Sequence, residues 1–129
     1  KVKVLPFIPI EKLMTYIVNS KFSVIPLDDF NYSFAQLTLL QQMALGVPIL
    51  AADVPAIRDY ANESSGVKSY IPYNADSLRE NVLYMSETSS DELGQMGQDN
   101  IAAVKSTLSE QDMAKQIEMI CNRLVNRGK

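Results

Sequence analysis

The stretch "QMALGVPILAA" (residues 42–52) constrains the fold more tightly than any other part of the chain. Ahead of it and within it, Leu37, Leu40 and Ala44 form an apolar stripe at helical spacing, with Leu39 and Met43 beside them. Gly46 then supplies a residue that accepts a left-handed backbone without steric cost, which is how such a helix stops. "VPILAA" (47–52) follows with no polar position. A strand with one wet face alternates polar and apolar residues. One that is apolar throughout has both faces covered, as in a parallel sheet between helices. A helix, its stop and a doubly covered strand in direct succession mark an α/β chain.

The rest of the sequence extends the alternation. "VKVLPFI" (2–8) reads as a strand entering a loop near Pro6, and residues 10–19 as a helix carrying Leu13 and Ile17. "FSVIPL" (22–27) is a short β-branched strand closed by Asp28 and Asp29, and "VKSYI" (67–71) is a more polar fourth strand. Pro55 falls in the first turn of a short helix that Asp53 is placed to cap. Asn74 caps a helix to about Glu87, with Leu78, Val82 and Met85 inward. Ser89 with Glu92, and Ser109 with Asp112, open two more helices, the last reaching Asn126. The expected architecture is one domain over 1–129: a Rossmann-like α/β fold, a parallel sheet of about four strands with helices on both faces, and extra C-terminal helices.

Composition narrows the chemistry. A chain of 129 residues supports one core. A net charge of -3 with scattered Lys and Arg argues against a nucleic-acid partner and against a polybasic membrane patch. No apolar run in these residues is long enough to cross a bilayer, and no leader ahead of the domain is expected. A cytoplasmic location without a transmembrane segment is expected, with any peripheral membrane contact left to parts outside these residues. Cys121 stands alone, so no disulfide framework is expected and a reducing compartment is favoured. Its spacing with Ile117, Ile120 and Leu124 puts it on one helical face and predicts a buried thiol. Met43, Met85, Met96, Met113 and Met119 are likewise expected to fill core space. The sequence has no histidine, which excludes Ser-His-Asp and Cys-His catalysis and nearly all transition-metal sites. No metal and no cofactor is expected.

In open parallel sheets ligands lie beyond the carboxyl ends of the strands. The loops 6–10, 27–35 and 53–56 qualify, and 27–35 is the longest and most polar. It feeds a helix whose first N–H groups, roughly Phe34 to Thr38, precede the intrahelical ladder. With the macrodipole behind them they suit an anion, phosphate above all. Ala35 is small enough for close approach, and the Thr38 hydroxyl adds a donor. The plain structural alternative is that Ser33 serves only as the N-cap. Tyr70 and Tyr73, flanking Pro72, either stack on a base or pack at a strand edge.

"VIPLDDFNYSFAQLTLLQQMALGVPILAADVPAIRDY" (24–60) resembles the sugar-nucleotide-binding half of GT-B fold retaining glycosyltransferases, whose signature is a "G-x-x-T-x-L-E-A-M-A-x-G-x-P-V" helix–strand unit. "VLPFIPIEKLMTYIVNSKFSVIPL" and "SGVKSYIPYNADSLRENVLYM" are similar to the segments on either side, so the resemblance covers roughly residues 4–86. It implies a partial C-terminal donor-binding domain acting in transfer of a sugar from a nucleoside-diphosphate sugar to a hydroxyl acceptor, without bound metal. The donor diphosphate would rest on the backbone N–H groups of Phe34, Ala35, Gln36, Leu37 and Thr38. The family's ribose-gripping carboxylate falls on Gln41, and the carboxylate near the transferred sugar falls on Ser33. The family's N-terminal acceptor-binding domain, and the earlier strand and helix whose Arg and Lys neutralise the pyrophosphate, have no counterpart in these residues.

Three departures bear on activity. Gln41 binds a ribose hydroxyl more weakly than a charged acceptor does. Ser33 supplies no negative charge to an oxocarbenium-like transition state. Ala35 replaces the usual Gly, which an ordinary helical backbone would tolerate. The competing expectation is therefore a degenerate, non-catalytic glycosyltransferase-like interaction module. A response-regulator receiver lacks its acidic cluster and Lys-Pro here, and a dinucleotide-binding domain lacks its Gly-rich turn after the first strand.

Overall fold

A computed structural model describes residues 2–29 and 35–127. At its centre β2 (Ile49–Ala52) is buried at all four positions, so both faces of that strand are covered. β1 (Ser23–Ile25) and β3 (Val67–Tyr70) pair with it in parallel on either side, in the order β1-β2-β3. Ser23 is in register with Ile49, and Ala52 with Tyr70. α1 (Ile10–Val18) precedes β1, α2 (Gln36–Ala44) joins β1 to β2, and α3 (Pro55–Ala61) joins β2 to β3. α4 (Ala75–Glu87), α5 (Ser90–Ser106) and α6 (Glu110–Arg127) complete the chain.

The described residues thus form an α/β fold with three parallel strands and six helices, not four strands. The missing strand is the one expected at 2–8. Val2, Val4 and Phe7 are exposed and pair with none of the three strands. β-propensity alone does not make a strand, because its N–H and C=O groups need a ladder to satisfy them.

Local signals elsewhere translate directly. α2 ends in a Schellman motif: Gly46 has φ 70°, its N–H donates to Met43 O at 2.9 Å, and Val47 N–H donates to Gln42 O at 3.3 Å. Asn74 Oδ1 accepts from Ser77 N–H at 2.9 Å, and the Ser89 and Ser109 hydroxyls accept from Glu92 and Asp112 N–H, each at 3.2 Å. Pro55 occupies the first turn of α3, but Val54 is the N-cap there and Asp53 caps nothing. Its carboxylate turns to Arg58 instead.

Leu39 and Met43 of α2, Ile57 and Ala61 of α3, and Ala103 of α5 close over the sheet. α5 is seated by one buried polar residue. Asn100, fully buried, donates through Nδ2 to Val47 O at 2.8 Å and Gly66 O at 3.2 Å, and accepts from Ser64 Oγ at 2.6 Å. The thiol of Cys121 is exposed rather than buried, as are Met113 and Met119, whereas Met43 and Met85 do lie in the interior. The apolar stripe of α6 asks for cover that the described residues do not give it. Among them, no helix is long and apolar enough to cross a membrane.

Candidate functional site

The carboxyl ends of the strands gather four features: Leu27 to Asp29 after β1, Asp53 after β2, Ile71 to Tyr73 after β3, and the start of α2. Ser33 and Phe34, two of the expected ligand-binding positions, lie outside the described residues. Ala35 is the N-cap of α2, with φ 62° and ψ 2°, and no side-chain hydrogen bond caps the helix from this position. The first intrahelical bond runs from Leu39 N–H to Ala35 O at 3.0 Å, so the N–H groups of Gln36, Leu37 and Thr38 stand ahead of the ladder.

The left-handed backbone corrects the expectation for Ala35. An L-residue with a Cβ pays roughly 1–2 kcal/mol in that conformation, and glycine escapes the clash at some cost in unfolded-chain entropy. Ala35→Gly is expected to raise stability by about 0.5–1 kcal/mol, read as a higher urea midpoint with an unchanged slope. An ordinary helical backbone at this position would give the opposite sign.

The remaining predicted residues divide between two sides of the helix start. Gln36 Nε2 donates to Ala56 O at 2.9 Å, tying α2 to the first turn of α3. Thr38 and Gln41, one turn apart and both exposed, line a groove of about 510 Å³ against the α1 side chains Leu13, Met14 and Ile17. Leu37 is exposed at the helix start. The structure therefore brings Thr38 and Gln41 together and directs Gln36 elsewhere.

Charge at this edge is mostly negative. Asp28, Asp29 and Asp53 sit on it, and Arg58 Nε meets Asp53 Oδ1 at 2.6 Å. The hydrogen bond and charge of Asp53 raise the Arg58 pKa, with smaller contributions from Asp29 and Asp59. Both partners are about half exposed, so the pair contributes little to stability and stays available to a ligand. Sequence reasoning missed Arg58; its only signal was a basic residue one turn into the helix that follows Asp53.

Tyr70 and Tyr73 share a second hollow of about 310 Å³ with Leu27, Asp28, Asn74 and Leu78. Tyr70 is buried in the core, and burial raises its hydroxyl pKa. Tyr73 is exposed with φ 57°, and its hydroxyl accepts from Asp29 N–H at 3.2 Å, bridging the loops after β1 and β3. Tyr70 thus packs, while Tyr73 presents a ring to solvent. Among the described residues, no group of three or more His, Cys, Asp or Glu is placed to hold a metal ion. In comparisons with family models, curated proteins and solved structures, the chain matches none.

Proposed function

We propose that the chain is the donor-binding part of a glycosyltransferase that moves a sugar from a nucleoside-diphosphate sugar to a hydroxyl acceptor. The observation that carries this reading is the turn into α2. Ala35 holds a left-handed backbone directly before a helix start at the carboxyl edge of a parallel sheet, and from the first turn onward Thr38 and Gln41 line the groove between α1 and α2. Backbone N–H groups at that start would hold the diphosphate, Thr38 Oγ1 would add a donor, and Gln41 would meet a ribose hydroxyl. Stabilising the charge that develops on the leaving diphosphate is the catalytic contribution open to this part of the molecule.

A second reading, a non-catalytic interaction module, draws on the electrostatics. The cation Arg58 is engaged by Asp53 and lies in the field of Asp29, and positions 33 and 41 carry no carboxylate. One titration separates the two. Calorimetry of the full-length chain with UDP and GDP sugars is expected to show micromolar binding, lost in Thr38→Glu. That variant places a carboxylate among the first-turn N–H groups, where it favours the helix but repels a diphosphate. Its thermal midpoint should therefore hold or rise while binding disappears. A folded wild type that binds neither class of nucleotide leaves the interaction module as the better reading.

A further inference from the structure

α6 carries an apolar stripe at coiled-coil spacing, Met113, Ile117 and Ile120, and these side chains are 59%, 53% and 56% exposed. From Glu110 to Arg123 only Asp112 is less than exposed, so the helix presents this face to solvent. Its charges are distributed unevenly along its length. Residues 110–118 contain Glu110, Asp112 and Glu118 against Lys115 alone, whereas 119–127 contain Arg123 and Arg127 and no acid.

We infer that α6 pairs with α6 of a second copy of this chain, in antiparallel orientation, along the Met113–Ile117–Ile120 stripe. The charge pattern selects the occupant and its direction. A parallel pair would stack acid on acid and base on base, whereas the antiparallel pair sets each acidic half against the basic half of the other helix and opposes the two macrodipoles. The same surface serves both copies, so the contact closes as a two-fold dimer and does not propagate. In the register that meets Ile117 with Ile120 of the second copy, Ala114 comes opposite Cys121 of that copy. The interface is one helix wide, which places it among weak, reversible associations.

Sedimentation equilibrium of the full-length chain, with Cys121 kept reduced, is expected to give a concentration-dependent mass approaching twice the monomer in the high micromolar range. Ile120→Asp should return it to monomer without lowering the thermal midpoint, because this side chain is exposed in the single chain. The doubly substituted Glu110→Lys, Glu118→Lys chain and the Arg123→Glu, Arg127→Glu chain should each associate about fivefold or more weakly than wild type. Mixed in equal amounts, they should recover association. Ala114→Cys should form an oxidised dimer under mild oxidant; within one helix the two thiols are about 10 Å apart along the axis, too far to bridge. A chain that stays monomeric throughout this range overturns the inference. So does a dimer that survives Ile120→Asp, or a mixture of the charge variants that associates no better than either alone.

Discussion

Asn100→Ala is expected to lower stability by about 3 kcal/mol, a loss large enough to threaten folding of a domain this size. The side chain is fully buried and makes hydrogen bonds to three partners, spending both amide N–H donors on the carbonyls of Val47 and Gly66 and accepting from the Ser64 hydroxyl. Those carbonyls end the segments that lead into β2 and β3, so one amide fixes α5 against two strand starts. Truncation leaves Val47 O without this donor and Ser64 Oγ without its acceptor, in a site closed to water. Gly66 O suffers less, since Ile49 N–H also donates to it at 3.0 Å. Ser64→Ala should cost about 1 kcal/mol, and a double-mutant cycle with Asn100→Ala should show coupling, because they share one bond.

Asn100→Asp sharpens the test. It keeps the size of the side chain but replaces the donating amide nitrogen with an oxygen that faces two carbonyls. Burial and those carbonyls raise the folded-state pKa of the new carboxyl above the ordinary value of about 4. The penalty is therefore smallest below pH about 4 and grows as pH rises through the window between the unfolded and folded values. Urea midpoints across pH should show this variant falling relative to wild type as pH rises, while Asn100→Ala runs parallel to wild type. Were Asn100→Ala to unfold at the wild-type midpoint, α5 would not be seated through this residue.

What the sequence revealed and what it hid divide along the range of the interactions. The stop at Gly46, the covered strand at 49–52 and the caps at Asn74 and Ser89 are local: each needs only its neighbours within a few residues, and each forms as read. The strand expected at 2–8 needed a partner, and β1-β2-β3 does not supply one. The stripe on α6 shows that a face needs cover, and on that ground the sequence predicts an interior place for Cys121 and Met113. Amphipathicity says nothing about which surface does the covering. At the candidate site, the shared facing of Thr38 and Gln41 was legible from their spacing of one turn. The left-handed backbone of Ala35 was not, because nothing in an alanine announces it. The pairing of Asp53 with Arg58 was hidden for a different reason: Asp followed by Val-Pro reads as a helix cap, and the ion pair competes with that role.

Gly97→Ala and Gly94→Ala should shift stability in opposite directions, though the residues lie three apart in α5 and the chemical change is identical. A Cβ on Gly94 meets nothing within 4 Å, so alanine there brings only its better helix propensity, about 0.5–1 kcal/mol. A Cβ on Gly97 would lie 2.2 Å from the carbonyl oxygen of Gly46. That atom belongs to a backbone already fixed by the Schellman turn and by entry into β2, so it cannot swing aside as a side-chain tip would. Relief requires α5 to move away from α2, which would stretch the Asn100 bonds to Val47 and Gly66 at the same time. Overpacking of this kind costs about 1–3 kcal/mol, and the lost hydrogen bonds add to it, so Gly97→Ala should lose about 2–3 kcal/mol even after the propensity gain. Denaturation midpoints of the two variants, with wild type between them, test the seating of α5. If Gly97→Ala gained stability as Gly94→Ala does, the helix would not approach the Gly46 turn this closely, and the burial of Asn100 would need another cause.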